Sequence, residues 1–74
     1  MDFSCDKKMG DRIREIREAQ GLTQEELSAK LQTRGCDLTR SALAKLEAGQ
    51  RHFYSHEIKV LKDVLQVSYD DLFA

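Results

Sequence analysis

The chain has 74 residues, of which 41 % are hydrophobic and 34 % are charged. This length accommodates one small domain and excludes a second core or a separate substrate domain. The balance of apolar and charged residues predicts a packed core and excludes a disordered chain. No apolar run approaches the roughly 20 residues of a membrane helix, and the N-terminus lacks the pattern of a signal peptide. We therefore expect a cytoplasmic protein with no membrane partner.

The charges nearly cancel, since 12 Lys and Arg residues face 13 Asp and Glu residues and the formal net charge is -1. The overall charge therefore does not indicate a polyanionic partner, and any nucleic-acid site must be a local patch.

The first helix is predicted from Met9, because apolar residues recur at Ile13 and Ile16 with charged residues between them. Gly21 provides a stop signal. Residues 1–8 precede this pattern and are predicted to be a flexible N-terminal extension, which leaves 9–74 as a single domain.

A second helix is predicted to start near Thr23, since Thr23 and Glu26 have the spacing of a capping box. Leu27 and Leu31 lie on its inner face, and the helix ends near Gln32. The following residues, 33–37, contain a glycine and an aspartate that are typical of a loop.

Three further helices follow. Thr39 is the predicted cap of a third helix that is closed by Gly49, and a fourth helix starts at about Ser55. Residues 68–73 form a short final turn capped by Ser68. The sequence contains no proline and no alternating strand pattern. We therefore predict an all-α fold, a compact bundle of five helices.

Two stretches carry a family resemblance. The sequence is similar to the Cro/C1-type helix-turn-helix family, also called the XRE family, in Gly21-Leu22-Thr23-Gln24-Glu25-Glu26-Leu27-Ser28-x-x-Leu31 and Thr39-Arg40-Ser41-x-Leu43-x-Lys45-Leu46-Glu47-x-Gly49-x-Arg51. The similarity runs from about Met9 to Phe73. It implies a bundle of the phage-repressor DNA-binding-domain type. One departure is a turn lengthened by roughly five residues between the two motif helices.

The resemblance implies that the outward face of the third helix reads base edges in the major groove. The implied base-contacting residues are Arg40, Ser41, Ala44 and Lys45. An Arg or Lys that donates to guanine contributes roughly 1 to 3 kcal/mol of discrimination. The alternative is that this face is simply a solvated helix surface.

Phosphate contacts are expected around both motif helices. The N-terminal turn of the second helix presents free amides and the positive end of the helix dipole. The expected phosphate-contacting residues are Thr23, Gln24, Arg34, Thr39, Gln50 and Arg51. Among them, the role of Gln24 is implied by the family resemblance, as are those of Gln50 and Arg51, because similar proteins bring the loop after the third helix against the DNA backbone. Alternatively, Gln24 is a plain surface residue. Arg51 can complement the dipole of the third helix, and this role is compatible with a phosphate contact. The resemblance also implies that Arg17 and Glu47 pair between the first and third helices, which is a structural role.

A single small module contacts few bases, so a homodimer on a palindromic operator is expected, with two recognition helices about 34 Å apart. The candidate dimer interface comprises Val67, Tyr69, Leu72 and Phe73. Alternatively, Leu72 and Phe73 only complete the core. Such a dimer would repress transcription by blocking polymerase.

Catalysis and cofactor binding are not expected, because the sequence has no catalytic triad, no glycine-rich phosphate loop and no paired carboxylates in a pocket. His52 and His56 lack the further ligands of a metal site, and neither cysteine belongs to a Cys-x-x-Cys unit. Cys36 is placed on an exposed turn, where a lone cysteine is more often inert than a redox switch. No small-molecule ligand is evident.

The competing function is a protein-interaction module with little DNA binding, which the net negative charge favours.

Overall fold

The computed structural model describes residues 4–73 and contains five helices. They are α1 (Ser4–Ala19), α2 (Gln24–Thr33), α3 (Arg40–Glu47), α4 (Ser55–Leu65) and α5 (Tyr69–Phe73). The described part of the chain contains no strand. The predicted all-α fold with five helices is therefore confirmed. Helix α1 packs against α3 and α5, while α2 packs against α3 and α4.

The predicted start of the first helix at Met9 is wrong, because α1 begins at Ser4. Residues 4–8, which were assigned to an N-terminal extension, belong to this helix, and residues 1–3 lie outside the described residues. Tertiary contacts hold the added turn. Asp6 accepts a hydrogen bond from the Phe53 amide at 3.4 Å, and its other carboxylate oxygen lies 2.6 Å from His52 Nδ1. Apolar periodicity marks only the first buried position and misses such contacts.

Local side-chain hydrogen bonds define the starts of α2, α3 and α5 as predicted. Thr23 Oγ1 accepts from the Glu26 amide at 3.0 Å, and Glu26 Oε1 accepts from the Thr23 amide at 2.9 Å. Thr39 Oγ1 accepts from the Ala42 amide at 3.2 Å, at the start of α3. Ser68 and Asp71 exchange the same pair of bonds ahead of α5. These caps satisfy amides that have no partner within the helix.

The lengthened turn between α2 and α3 folds back into the core. Gly35 has a φ of +79°, which lets the chain reverse, and the Cys36 amide donates to the Leu31 carbonyl at 3.0 Å. Buried Ser28 donates to the Leu38 carbonyl at 2.6 Å. Cys36 is only 3 % exposed, so the predicted exposed position of this cysteine is wrong. The predicted loop packs two side chains, Cys36 and Leu38, against the helices.

One hydrophobic core joins all five helices. It contains Met9, Ile13, Ile16, Leu27, Leu31, Cys36, Leu38, Leu43, Leu46, Leu61, Leu65 and Leu72. Most of these residues are completely buried, and each such leucine or isoleucine contributes roughly 1.5 to 3 kcal/mol through removal from water. The core fixes the orientation of α3 relative to α1 and α2.

Candidate nucleic-acid interface

Helix α3 has one buried face and one exposed face. Leu43 and Leu46 have no exposed surface, whereas Arg40, Ser41 and Lys45 are exposed. The helical period of 3.6 residues accounts for this separation, because residues three or four apart share a face. Three of the four predicted base-contacting residues therefore lie on the surface of one helix. The fourth, Ala44, is half-buried and lines a cavity beside α1.

The N-terminus of α2 lies next to this exposed face. Thr23, Gln24 and Arg40 line one open cavity of about 760 Å³. The structure thus brings two predicted phosphate-contacting residues together with a predicted base-contacting residue. Because the first amides of α2 point toward the N-terminal end of the helix, this cavity combines an Arg side chain with a positive helix end.

A buried ion pair between α1 and α3 lies beneath the cavity and holds Gln24 in place. Arg17 Nε lies 2.8 Å from Glu47 Oε2, and Arg17 Nη2 lies 3.0 Å from Glu47 Oε1. The side-chain hydrogen bond to Glu47 raises the pKa of Arg17, which keeps the guanidinium charged. Gln24 Nε2 also donates to Glu47 Oε1, at 3.1 Å. The pairing implied by the family resemblance is therefore present, and it also orients Gln24.

Arg51 follows α3 in the loop that leads to α4. Its guanidinium donates to both carboxylate oxygens of Glu57, at 2.8 and 2.9 Å, and lies 5.3 Å from the centroid of the Tyr54 ring. Burial would raise the pKa of Glu57, but hydrogen bonds from Arg51 and the Tyr54 amide lower it overall. Arg51 thus has a structural partner that the sequence analysis missed. The available signal was the position of Glu57, the third residue of α4, where a glutamate caps the helix.

The remaining predicted phosphate-contacting residues lie at separate places. Arg34 lines a cavity of about 210 Å³ with residues from the C-terminal ends of α2 and α4, apart from the cavity of Gln24 and Arg40. Thr39 caps α3. Gln50 is exposed in the loop after α3.

The candidate dimer interface divides into exposed and buried residues. Phe73 is 64 % exposed and Tyr69 is 45 % exposed, whereas Val67 is half-buried. Leu72 is 1 % exposed and belongs to the core, so its assignment to a surface contact is corrected to the alternative role of completing the core. Phe73 borders an apolar groove of about 310 Å³ between α1, α4 and α5. The other lining residues of this groove are Asp6, Lys8, Met9, Phe53, Ile58 and Leu72.

Within residues 4–73, no group of three or more His, Cys, Asp or Glu residues is arranged to hold a metal ion. His52 contacts Asp6, and the His56 ring stacks on Tyr54 with a centroid distance of 6.1 Å. Among the described helices, none has the length and apolar character needed to cross a membrane.

Comparison with known proteins gives two findings. The helix-turn-helix family model HTH_3 matches residues 13–72. The fold is also similar to the crystal structure of the restriction-modification controller protein C.AhdI from Aeromonas hydrophila, with a TM-score of 0.84 and 34 % sequence identity over 96 % of each chain. No curated protein matches the chain by sequence. The family comprises DNA-binding regulators rather than enzymes. The chain therefore belongs to the helix-turn-helix family of Cro/C1 type and is a DNA-binding transcriptional regulator.

Proposed function

We propose that the protein represses transcription as a homodimer bound to a palindromic operator, with α3 in the major groove of each half-site. The observation that carries this proposal is the division of α3 into two faces. Leu43 and Leu46 are fully buried, while Arg40 and Lys45 are exposed on the other side. An exposed polar face on a rigidly packed helix is what direct readout of base edges requires.

Base readout is assigned to the exposed face of α3. Arg40 and Lys45 would donate to the O6 and N7 atoms of guanine. The Ser41 hydroxyl can both donate and accept, so it would bond an acceptor or a donor on a base edge. Ala44 is half-buried and offers a methyl group, which suits contact with a thymine methyl.

Backbone binding is assigned to residues around the two motif helices. Thr23 and Gln24 would hold a phosphate at the N-terminus of α2, where Gln24 is oriented by Glu47. Thr39 and Gln50 flank α3 and would contact the adjacent backbone. Arg51 and Arg34 would contribute phosphate contacts as cations. The side chain of Arg51 keeps 29 % of its surface exposed despite the pair with Glu57.

The size of the fold supports binding as a dimer. One copy measures 31 × 22 × 21 Å. Successive major grooves on one side of DNA are about 34 Å apart, so one copy reads one groove. We assign the dimer contact to Val67, Tyr69 and Phe73 with the adjoining apolar groove, because exposed aromatic residues beside an apolar surface favour association.

The proposed function implies a cytoplasmic location and a controlling role at promoters. Repression requires access to DNA in the cytoplasm and needs no cofactor. The similar protein C.AhdI is a restriction-modification controller. We propose a comparable controlling role for this chain, at promoters that carry its operator.

Selection from random duplex DNA tests the proposal. Purified protein should enrich an inverted repeat, and Arg40→Ala and Lys45→Ala should each relax base preference at defined positions by roughly 1 to 3 kcal/mol. The matched control is Lys59→Ala, which removes one positive charge from an exposed residue of α4. Binding should weaken linearly with the logarithm of salt concentration. Absence of any enriched sequence and of salt-dependent duplex binding would favour the protein-interaction module instead.

A further inference from the structure

A second cavity, of about 350 Å³, lies between α1 and the outward side of α3. Lys7 and Arg14 line it from α1, and Ala44 and Ala48 line it from α3. Gln24 at the start of α2 borders the same cavity. The cavity therefore joins a predicted phosphate contact, a predicted base contact and two cations that have no assigned role.

Close packing fixes the position of the helix that carries these cations. A Cβ atom on Gly10 would overlap the Leu46 carbonyl oxygen and lie 2.8 Å from that of Glu47. A Cβ atom on Gly49 would lie 2.9 Å from the backbone of Lys7. The first turns of α1 are thus pressed against the C-terminal end of α3. Lys7 and Arg14 are seven residues apart, so they project from the same face of α1, about 10 Å apart along the helix axis.

The charge of the cavity favours an anion. Arg17 and Glu47, which also line it, neutralise each other in the buried pair. Among the other charged residues that line the cavity, Lys7 and Arg14 outnumber one carboxylate, that of Glu18; the carboxylate paired with Lys7, that of Asp11, lies outside the lining. Lys7 pairs with Asp11 at 2.6 Å and Arg14 with Glu18 at 3.5 Å, and all four side chains are about half-exposed. Exposed pairs of this kind contribute little, so a phosphate oxygen can replace the carboxylate at small cost.

We propose that Lys7 and Arg14 form an additional DNA-phosphate site on α1, which binds the backbone at the edge of the groove that α3 reads. The small side chains of Ala44 and Ala48 leave room for a backbone to approach. This inference rests on the proposed function, because it requires α3 to lie in the groove. Phosphate contacts carry no sequence information, so the site contributes affinity and orientation rather than specificity.

Salt titration of binding to the selected operator tests the site. Lys7→Gln and Arg14→Gln should each weaken binding roughly threefold to tenfold at moderate salt and reduce the salt slope by about 1. The base preference should not change, and the affinity for random duplex DNA should fall by the same factor as the affinity for the operator. Lys7→Arg and Arg14→Lys should retain the slope, because they preserve the charge. Thermal unfolding of each variant shows whether the fold is intact. Lys59→Gln is the control for loss of one charge.

The outcomes separate the two proposals. A wild-type slope in the folded Lys7→Gln and Arg14→Gln variants would overturn the additional site while leaving the proposed function intact. An equal loss in Lys59→Gln would also overturn it, since the effect would then reflect net charge alone. If the wild-type protein fails to bind duplex DNA, the proposed function itself fails and the site fails with it.

Discussion

Arg51 and Glu57 form a bidentate ion pair that closes the loop between α3 and α4, with N···O distances of 2.8 and 2.9 Å. Glu57 also accepts a hydrogen bond from the Tyr54 amide at 3.0 Å, so one carboxylate fixes both the loop and the start of α4. The pair holds Arg51 in a single geometry. A guanidinium that is already ordered loses less entropy when it meets a phosphate, which makes Glu57 a positioning residue for the proposed contact.

Replacement of Glu57 by Gln should lower the free energy of unfolding by about 1 to 3 kcal/mol at pH 7, because it weakens charge-assisted hydrogen bonds to Arg51. The pKa of Glu57 lies below its ordinary value of 4.5 in the folded protein. Its stabilising contribution is therefore complete above that pH and is lost as the pH falls through the lower folded value. Urea unfolding from pH 7 to acid should show a smaller acid loss in Glu57→Gln than in wild type. Equal acid loss in both proteins would contradict this assignment, and exposed Glu25→Gln is the control.

Removal of one partner from the Arg17–Glu47 pair should be more costly. Glu47→Ala leaves the Arg17 guanidinium buried without its carboxylate, and we expect a loss of about 3 to 5 kcal/mol. Chemical denaturation measures this loss. Glu18→Ala, which removes a surface pair with Arg14, should change stability by less than about 1 kcal/mol. Similar losses in the two variants would mean that the buried pair contributes no more to the free energy of unfolding than the surface pair.

Gly10→Ala should destabilise the protein although alanine ordinarily stabilises a helix by about 1 kcal/mol relative to glycine. The added methyl group would collide with backbone carbonyls of α3, and backbone atoms cannot rotate away. We expect a net loss of about 1 to 3 kcal/mol, the range for overpacking, measured by thermal unfolding. A stabilised Gly10→Ala variant would show that α1 and α3 are not in direct backbone contact.

Cys36 should resist alkylation in the folded protein. Burial raises the pKa of its thiol, and the side chain is almost inaccessible to reagents. The experiment uses a Cys5→Ser variant, so that a single thiol reports. Reaction with a thiol reagent at pH 8 should be slow under native conditions and fast in denaturant. Fast native labelling would place Cys36 on the surface, as the sequence alone suggested.

The residues near the C-terminus should separate dimerisation from folding. Phe73→Ser and Tyr69→Ser should shift the protein toward a monomer in sedimentation equilibrium. The loss of monomer stability should be small, since Phe73 is 64 % and Tyr69 45 % exposed and neither belongs to the core. Leu72→Ala should instead cost about 2 to 5 kcal/mol of stability through a core cavity. If Phe73→Ser remains as associated as wild type, the dimer contact lies elsewhere.

The sequence by itself determined the helix starts that depend on neighbouring residues. Thr23, Thr39 and Ser68 each bond an amide three positions ahead, so their signal lies within one turn of the chain. The two faces of α3 were equally predictable, because a helical period needs only the spacing of apolar residues. The resemblance to the helix-turn-helix family could also be recognised, because it rests on residues within two short stretches of the chain.

Only the tertiary structure decided features that join distant residues. The first turn of α1 exists because Asp6 contacts the loop at Phe53, 47 residues away. Cys36 is buried because the lengthened turn folds back onto α2 and joins the common core, which the apolar pattern of the sequence does not reveal. Leu72 enters the core while Phe73 remains outside, since a five-residue helix buries only the face that packs on α1. These outcomes follow from packing, in which each side chain depends on which partners the whole fold brings within reach.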